Sequence, residues 1–212
     1  MSLKVFLLRH GETECSQNGT YCGIIDPELT PEGAEMAQYF ADAYKDASWT
    51  DVYVSPMKRT IATAKPLCEA LGLPMQVRDG LKEIAYGAWE DKDQDYVKEH
   101  YQQDYVRWLT EPAWNSPTGG ETSSQVVSRV LPVLTEIEEK YQDGNVLIVS
   151  HKATIRIILC SLLGIDVGRY RDRLDVPAAS LSVIKFDLHG PMLQQLGDRS
   201  FMPEHLRTRV GT

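Results

Sequence analysis

The chain has 212 residues, 42% of them hydrophobic and 25% charged, with a formal net charge of −8. That mix suits a soluble globular protein of one large domain rather than two small ones, with no repeat and no low-complexity block. The acidic balance argues against broad attraction to nucleic acid or anionic membrane, so an anionic ligand would need a local basic pocket.

Lys4–Leu8 is a near-continuous apolar run, the signature of a strand covered on both faces, and Arg9-His10-Gly11-Glu12-Thr13 follows it directly. Thr30-Pro31-Glu32 offers an N-cap and a proline at the first helical position, and Ala34, Ala37, Phe40, Ala41 and Tyr44 continue at helical spacing. Asp51–Ser55 reads as a second strand ending at Pro56. A helix marked by Ile61, Ala64, Leu67, Cys68 and Leu71 comes next and closes at Gly72. The stretch from Asp91 to Pro117 is polar and rich in Tyr and Trp. It reads as an insertion with at least one helix, placed at an edge of the domain near the site. Ser123–Tyr141 is a long helical pattern with Pro132 as a kink point, and Val146–Val149 is the core of a strand over Asn145–Ser150. Thr154–Leu163 returns to helix, and Ser180–Phe186 with Met192–Leu196 suggests a late hairpin around His189-Gly190. Strands alternating with helices imply a three-layer α/β/α domain with a mostly parallel central sheet over 1–212, carrying the insertion near 91–117.

Cys15, Cys22, Cys68 and Cys160 form no CxxC pair, so reduced thiols in a cytoplasmic protein are the simplest expectation. Residues 1–9 are too short for a signal peptide and no run has the length of a membrane span. Asp91-Lys92-Asp93-Gln94-Asp95 hints at a calcium loop but has Tyr96 where glycine is needed, which leaves a solvated loop.

Three polar clusters follow predicted strands: Arg9-His10-Gly11-Glu12, Ser55-Pro56-Met57-Lys58-Arg59 and Ser150-His151-Lys152. In open α/β sheets the carboxyl ends of the strands line one crevice, so the clusters converge there. Arginine is a rigid fork of donors matched to phosphate, and a neutral histidine is a nucleophile. With Leu29-Thr30-Pro31-Glu32-Gly33, Glu83 before Tyr86-Gly87, and Ile155-Arg156, these anchors run in order along nearly the whole chain. The sequence resembles the histidine phosphatase superfamily, in the branch that includes cofactor-dependent phosphoglycerate mutases.

The resemblance implies that His10 attacks phosphorus, that Arg9, Arg59 and His151 hold the phosphoryl oxygens, and that Glu83 protonates the leaving oxygen and then activates water. Glu12 and Glu90 are competing acids nearby. It implies no cofactor and no metal, since cationic side chains supply the positive charge. Ser16, Cys22, Gly23, Tyr86 and Lys152 are the expected substrate-binding set. Ser16, Thr20, Cys22 and Lys152 depart from the residues common in the family. Mutases of this family are longer and carry a basic residue after the catalytic acid, where this chain has Ile84. The expected activity is therefore a phosphomonoesterase acting on a small phosphorylated metabolite such as phosphoserine or a sugar phosphate. A phosphoglycerate mutase or a non-catalytic phospho-ligand module are the alternatives. A homodimer is compatible with this reading, and the C-terminal Glu204–Arg209 is a candidate flap over the pocket.

Overall fold

A computed structural model describes residues 2–209. One sheet of six strands runs through it: β1 Leu3–Arg9, β2 Trp49–Val54, β3 Met75–Val77, β4 Gly144–Ser150, β5 Leu181–Asp187 and β6 Gly190–Asp198. Their spatial order is β3-β2-β4-β1-β5-β6. The pairs β2/β3, β2/β4 and β1/β4 are parallel, while β5 runs antiparallel to β1 and β6 antiparallel to β5. The predicted hairpin is thus present. Its first strand lies beside β1, a placement that alternating hydrophobicity does not specify.

The helices are α1 Glu14–Asn18, α2 Pro31–Tyr44, α3 Lys58–Leu71, α4 Gln94–His100, α5 Gln102–Thr110, α6 Ser123–Lys140, α7 Lys152–Leu163, α8 Tyr170–Arg173 and α9 Glu204–Arg207. The Thr30 side chain caps α2 by accepting from the Gly33 amide, with Pro31 at the first position. Gly72 and Gly164 end α3 and α7 in the left-handed conformation. Helix α6 continues past Pro132, and α3 holds Pro66. β3, a three-residue edge strand, and α1, a single turn, have no sequence periodicity to announce them.

Side chains of the central strands alternate between two cores, which is why these strands are apolar throughout. Leu3, Val5, Leu7, Val146 and Ile148 pack with α6 and α7, while Leu8, Val52, Val54, Leu147 and Val149 pack with α2 and α3. Each fully buried Leu or Phe in such a core contributes roughly 1.5–3 kcal/mol. A smaller aromatic cluster of Trp89, Val97, Tyr105 and Trp108 joins α4 and α5 to the loop around Tyr86.

Cys15 and Cys22 are joined by a disulfide, which corrects the expectation of four reduced thiols; Cys68 and Cys160 are free and buried. The turn of α1 and the left-handed Gly19 fold the chain back, bringing the two Cα atoms to 6.2 Å, within bridging distance. The C-terminal segment is also corrected. α9 packs through Leu206 on Met36, Ala178 and Met202, and Arg209 pairs with Glu12 and Glu32, so Glu204–Arg209 does not cover the cavity described below. Among the described residues, no helix is long and apolar enough to cross a membrane.

Candidate active site

The register of the sheet assembles the site. β1 and β4 pair so that Arg9 stands opposite Ser150, and Val54 at the end of β2 stands opposite Val149. The residues that follow these strands, His10, Ser55 and His151, therefore emerge at one end of the sheet. The Cβ of any residue at Gly33 would overlap the Glu12 carbonyl oxygen, and one at Gly11 would overlap the Gly33 carbonyl. Two glycines thus let the loop after β1 lie directly on the start of α2.

His10 is buried, and its Nδ1 lies 2.7 Å from the Gly11 carbonyl oxygen. A carbonyl only accepts, so Nδ1 carries the proton and Nε2 keeps its lone pair. Burial, and then the charges of Arg59 and Arg9, hold the imidazole pKa well below its usual range. The ring is therefore neutral at physiological pH, as a nucleophile must be. His151 lies 5.2 Å away, centroid to centroid. Arg59 Nε donates to its Nδ1 at 3.1 Å and its Nε2 is 2.8 Å from Ser55 Oγ, so both ring nitrogens are engaged. Because arginine cannot accept, this His151 tautomer carries its proton on Nε2. Burial, followed by Arg59 and His10, keeps it neutral.

Arg59 is buried and reaches four partners: His151, the Ile25 carbonyl at 2.8 Å, the Gly23 carbonyl at 3.0 Å and the Asp26 carboxylate at 3.3 Å. Arg9 donates to the Val176 carbonyl at 2.9 Å; burial lowers its pKa to about 10, which leaves it cationic at neutral pH. The three acids separate by environment. Glu83 Oε1 accepts from the Ile84 and Thr154 amides, and Oε2 from the Ala153 amide at 3.1 Å, which seats the carboxylate at the start of α7. Glu90 accepts from the Gly23, Ile24, Ile25 and Tyr86 amides and clamps that loop. Glu12 is held by Thr30 and Arg209. Of the three, only Glu83 lines the cavity.

That cavity encloses about 270 Å³, enough for a small metabolite, and Arg9, His10, Arg59 and Glu83 lie in its wall. His151 stands behind Arg59 and is absent from the wall. Of the expected substrate set, Ser16, Cys22, Tyr86 and Lys152 line the cavity, while Gly23 does not and instead serves as an acceptor for Arg59. The Ser16 hydroxyl donates to the Thr13 carbonyl and accepts from the Thr13 amide, the second of these bonds closing a capping box. Cys22 presents a disulfide sulfur in place of a thiol.

Several wall residues have weak sequence signals. Arg156 is four residues from Lys152 on α7 and shares its face, a spacing that could have marked it. Tyr170 and Arg171 sit in a four-residue helix with no readable period. Trp108, from the stretch rich in Tyr and Trp, also reaches the wall, whereas Trp114 is 75% exposed. Burial, then Arg9 and Arg156, lowers the Lys152 amine to about 7.

The family description "Histidine phosphatase superfamily (branch 1)" matches residues 5–199. Phosphoserine phosphatase 1 of Hydrogenobacter thermophilus is 34% identical over 168 residues, covering 79% of this chain and 80% of that protein. The adenosylcobalamin/alpha-ribazole phosphatase of Escherichia coli is 30% identical, covering 76% of this chain and 80% of its own. Among solved structures, an alpha-ribazole phosphatase from Shigella flexneri superposes with a TM-score of 0.85 at 26% identity, covering 95% of this chain and 99% of that one.

Proposed function

The chain belongs to the histidine phosphatase superfamily and is a phosphoric monoester hydrolase, and on that premise we propose that it cleaves small phosphorylated metabolites through a phosphohistidine on His10. The observation that carries this reading is the Nδ1 bond to the Gly11 carbonyl, which leaves Nε2 unprotonated in a cavity walled by Arg9 and Arg59.

In the first step the Nε2 lone pair attacks phosphorus and the P–O ester bond breaks. Its electron pair leaves with the alcohol oxygen, which takes a proton from Glu83. In the second step Glu83 takes a proton from water, the water oxygen attacks phosphorus, and the N–P bond pair returns to Nε2. Arg9 and Arg59 stabilise the charge on the phosphoryl oxygens in both steps. His151 acts through Arg59: its Nδ1 fixes the guanidinium edge, and Ser55 fixes the ring. Two relatives named as phosphatases, together with Ile84 after the acid, favour hydrolysis over phosphoryl isomerisation or mere binding.

The test is phosphate release from a panel including phosphoserine, sugar phosphates and 3-phosphoglycerate, in EDTA, with and without His10→Ala. Release that persists in EDTA and disappears in the variant is expected. Release lost in EDTA, or indifferent to the substitution, overturns the mechanism. Isomerised 3-phosphoglycerate with little free phosphate overturns hydrolysis. A cytoplasmic setting is also part of the proposal, and the Cys15–Cys22 bridge tests it, because such bridges are rare in reducing compartments. Alkylation in intact cells that labels both residues supports the cytoplasm, and protection of both counts against it.

A further inference from the structure

The cavity holds more positive charge than one phosphoryl group uses. Beyond Arg9 and Arg59, its wall includes Lys152, Arg156 and Arg171, while Glu83 is its one carboxylate among the described residues. These extra cations are poorly neutralised. Arg156, 13% exposed, has a long 3.6 Å contact with Asp175, whose side chain is 86% exposed. Lys152 has no ion-pair partner among the described residues; burial, and then the charges of Arg9 and Arg156, lower its amine to about 7. Arg171 lies with its guanidinium carbon 3.7 Å from the Trp108 ring centroid, so it is already placed.

Two donors of the same wall are buried and unsatisfied. Tyr170 Oη and Trp108 Nε1 have no hydrogen-bond partner, and both residues are only 2% exposed. Buried donors are nearly always bonded, so an unbonded pair beside poorly neutralised cations marks a place where a ligand supplies the acceptors.

We propose that Lys152, Arg156, Arg171, Tyr170 and Trp108 form a second anion subsite, which receives a carboxylate or a second phosphate carried by the alcohol part of the substrate. The proposal rests on the phosphatase reading above and narrows its substrate class. Glu83 is assigned to the leaving oxygen and is the one carboxylate of the wall among the described residues, so an amine next to the acid group finds no acid of its own. A phosphorylated hydroxy acid or a bisphosphate therefore fits this wall better than a phosphorylated amino acid.

The experiment compares matched substrates. In the wild type, kcat/KM for 3-phosphoglycerate exceeds that for glycerol 3-phosphate, and that for glucose 1,6-bisphosphate exceeds that for glucose 6-phosphate. Each ratio is roughly ten- to a hundredfold, the worth of a charge-assisted hydrogen bond. The pair with the larger ratio identifies the anion as carboxylate or phosphate. Phosphoserine falls below 3-phosphoglycerate. Lys152→Met and Arg171→Met each pull the ratios toward one, whereas Arg171→Lys keeps part of them. Ratios near one in an enzyme that hydrolyses p-nitrophenyl phosphate in a His10-dependent way overturn the subsite and leave the phosphatase reading standing. Calorimetric binding to His10→Ala provides a readout without turnover. There, 3-phosphoglycerate binding no tighter than glycerol 3-phosphate, together with glucose 1,6-bisphosphate binding no tighter than glucose 6-phosphate, overturns the subsite whatever the chemistry proves to be.

Discussion

Replacing Arg209 with Met tests whether the end of the chain holds the catalytic loop by charge. Arg209 Nε and Nη2 grip Glu12 at 2.8 Å and 2.9 Å, and the two side chains are 27% and 1% exposed. Losing one partner of a fully buried pair costs roughly 3–5 kcal/mol. Solvent on Arg209 reduces that, and Thr30 Oγ1 still donates to Glu12 at 2.9 Å in the variant. We therefore expect a loss of about 2 kcal/mol at neutral pH, or about 4–8 °C in Tm for a chain of this size. Burial pushes the Glu12 carboxyl up, but the bonds from Arg209 and Thr30 outweigh it and hold the group below the usual carboxylate range. A depressed carboxylate contributes stability above its unfolded pKa and loses it as pH falls through the folded value. The gap in Tm between wild type and Arg209→Met, followed by circular dichroism, should therefore narrow as pH falls from about 7 towards 4. Equal Tm values at neutral pH, or a gap that stays constant into acid, would refute the reasoning.

Glu83→Gln should lower kcat by roughly 10²–10⁴-fold on alkyl phosphates and much less on p-nitrophenyl phosphate, whose leaving group needs no proton; an equal loss on both would remove Glu83 as the acid. Ser55→Ala frees the His151 ring and should reduce kcat about tenfold, with His151→Asn on top of it adding little, a coupling readable by a double-mutant cycle. Gly33→Ala drives a methyl group into the Glu12 carbonyl and should cost about 1–3 kcal/mol in denaturant unfolding. Lys152 is charged below about 7 and neutral above it, so kcat/KM for an acidic ester should fall on the alkaline side; Lys152→Met should lose that limb.

The central strands and the three polar clusters were legible because double-sided burial writes a near-continuous apolar run that ends at a polar residue. Leu3–Leu8 and Val146–Val149 are such runs, and their register brings Arg9 to Ser150. The long helices carried caps and periods that placed them within a few residues. What escaped lies in short or irregular segments. Met75–Val77 is too short to show alternation, and α8 too short to show a face. The Cys15–Cys22 bridge depends on a left-handed Gly19 that reverses the chain, a three-dimensional fact that spacing does not carry. Gly23, expected among the substrate-binding residues, has its carbonyl 3.0 Å from Arg59 Nη2, a contact that sequence does not announce.

The division of labour between strand ends and outlying helices bears on how such a protein changes over time. His10, Ser55 and His151 are spaced by the sheet's hydrogen bonds, and a slip of register would displace all of them at once. Trp108, Tyr170 and Arg171 belong to α5 and α8, outside the sheet. Mutations there can alter which alcohol is accepted while the bond-breaking groups stay where they are. Descent with new substrates is therefore mechanically cheap in this architecture, and a laboratory library confined to α5, α8 and the exposed face of α7 is the natural place to redirect the enzyme.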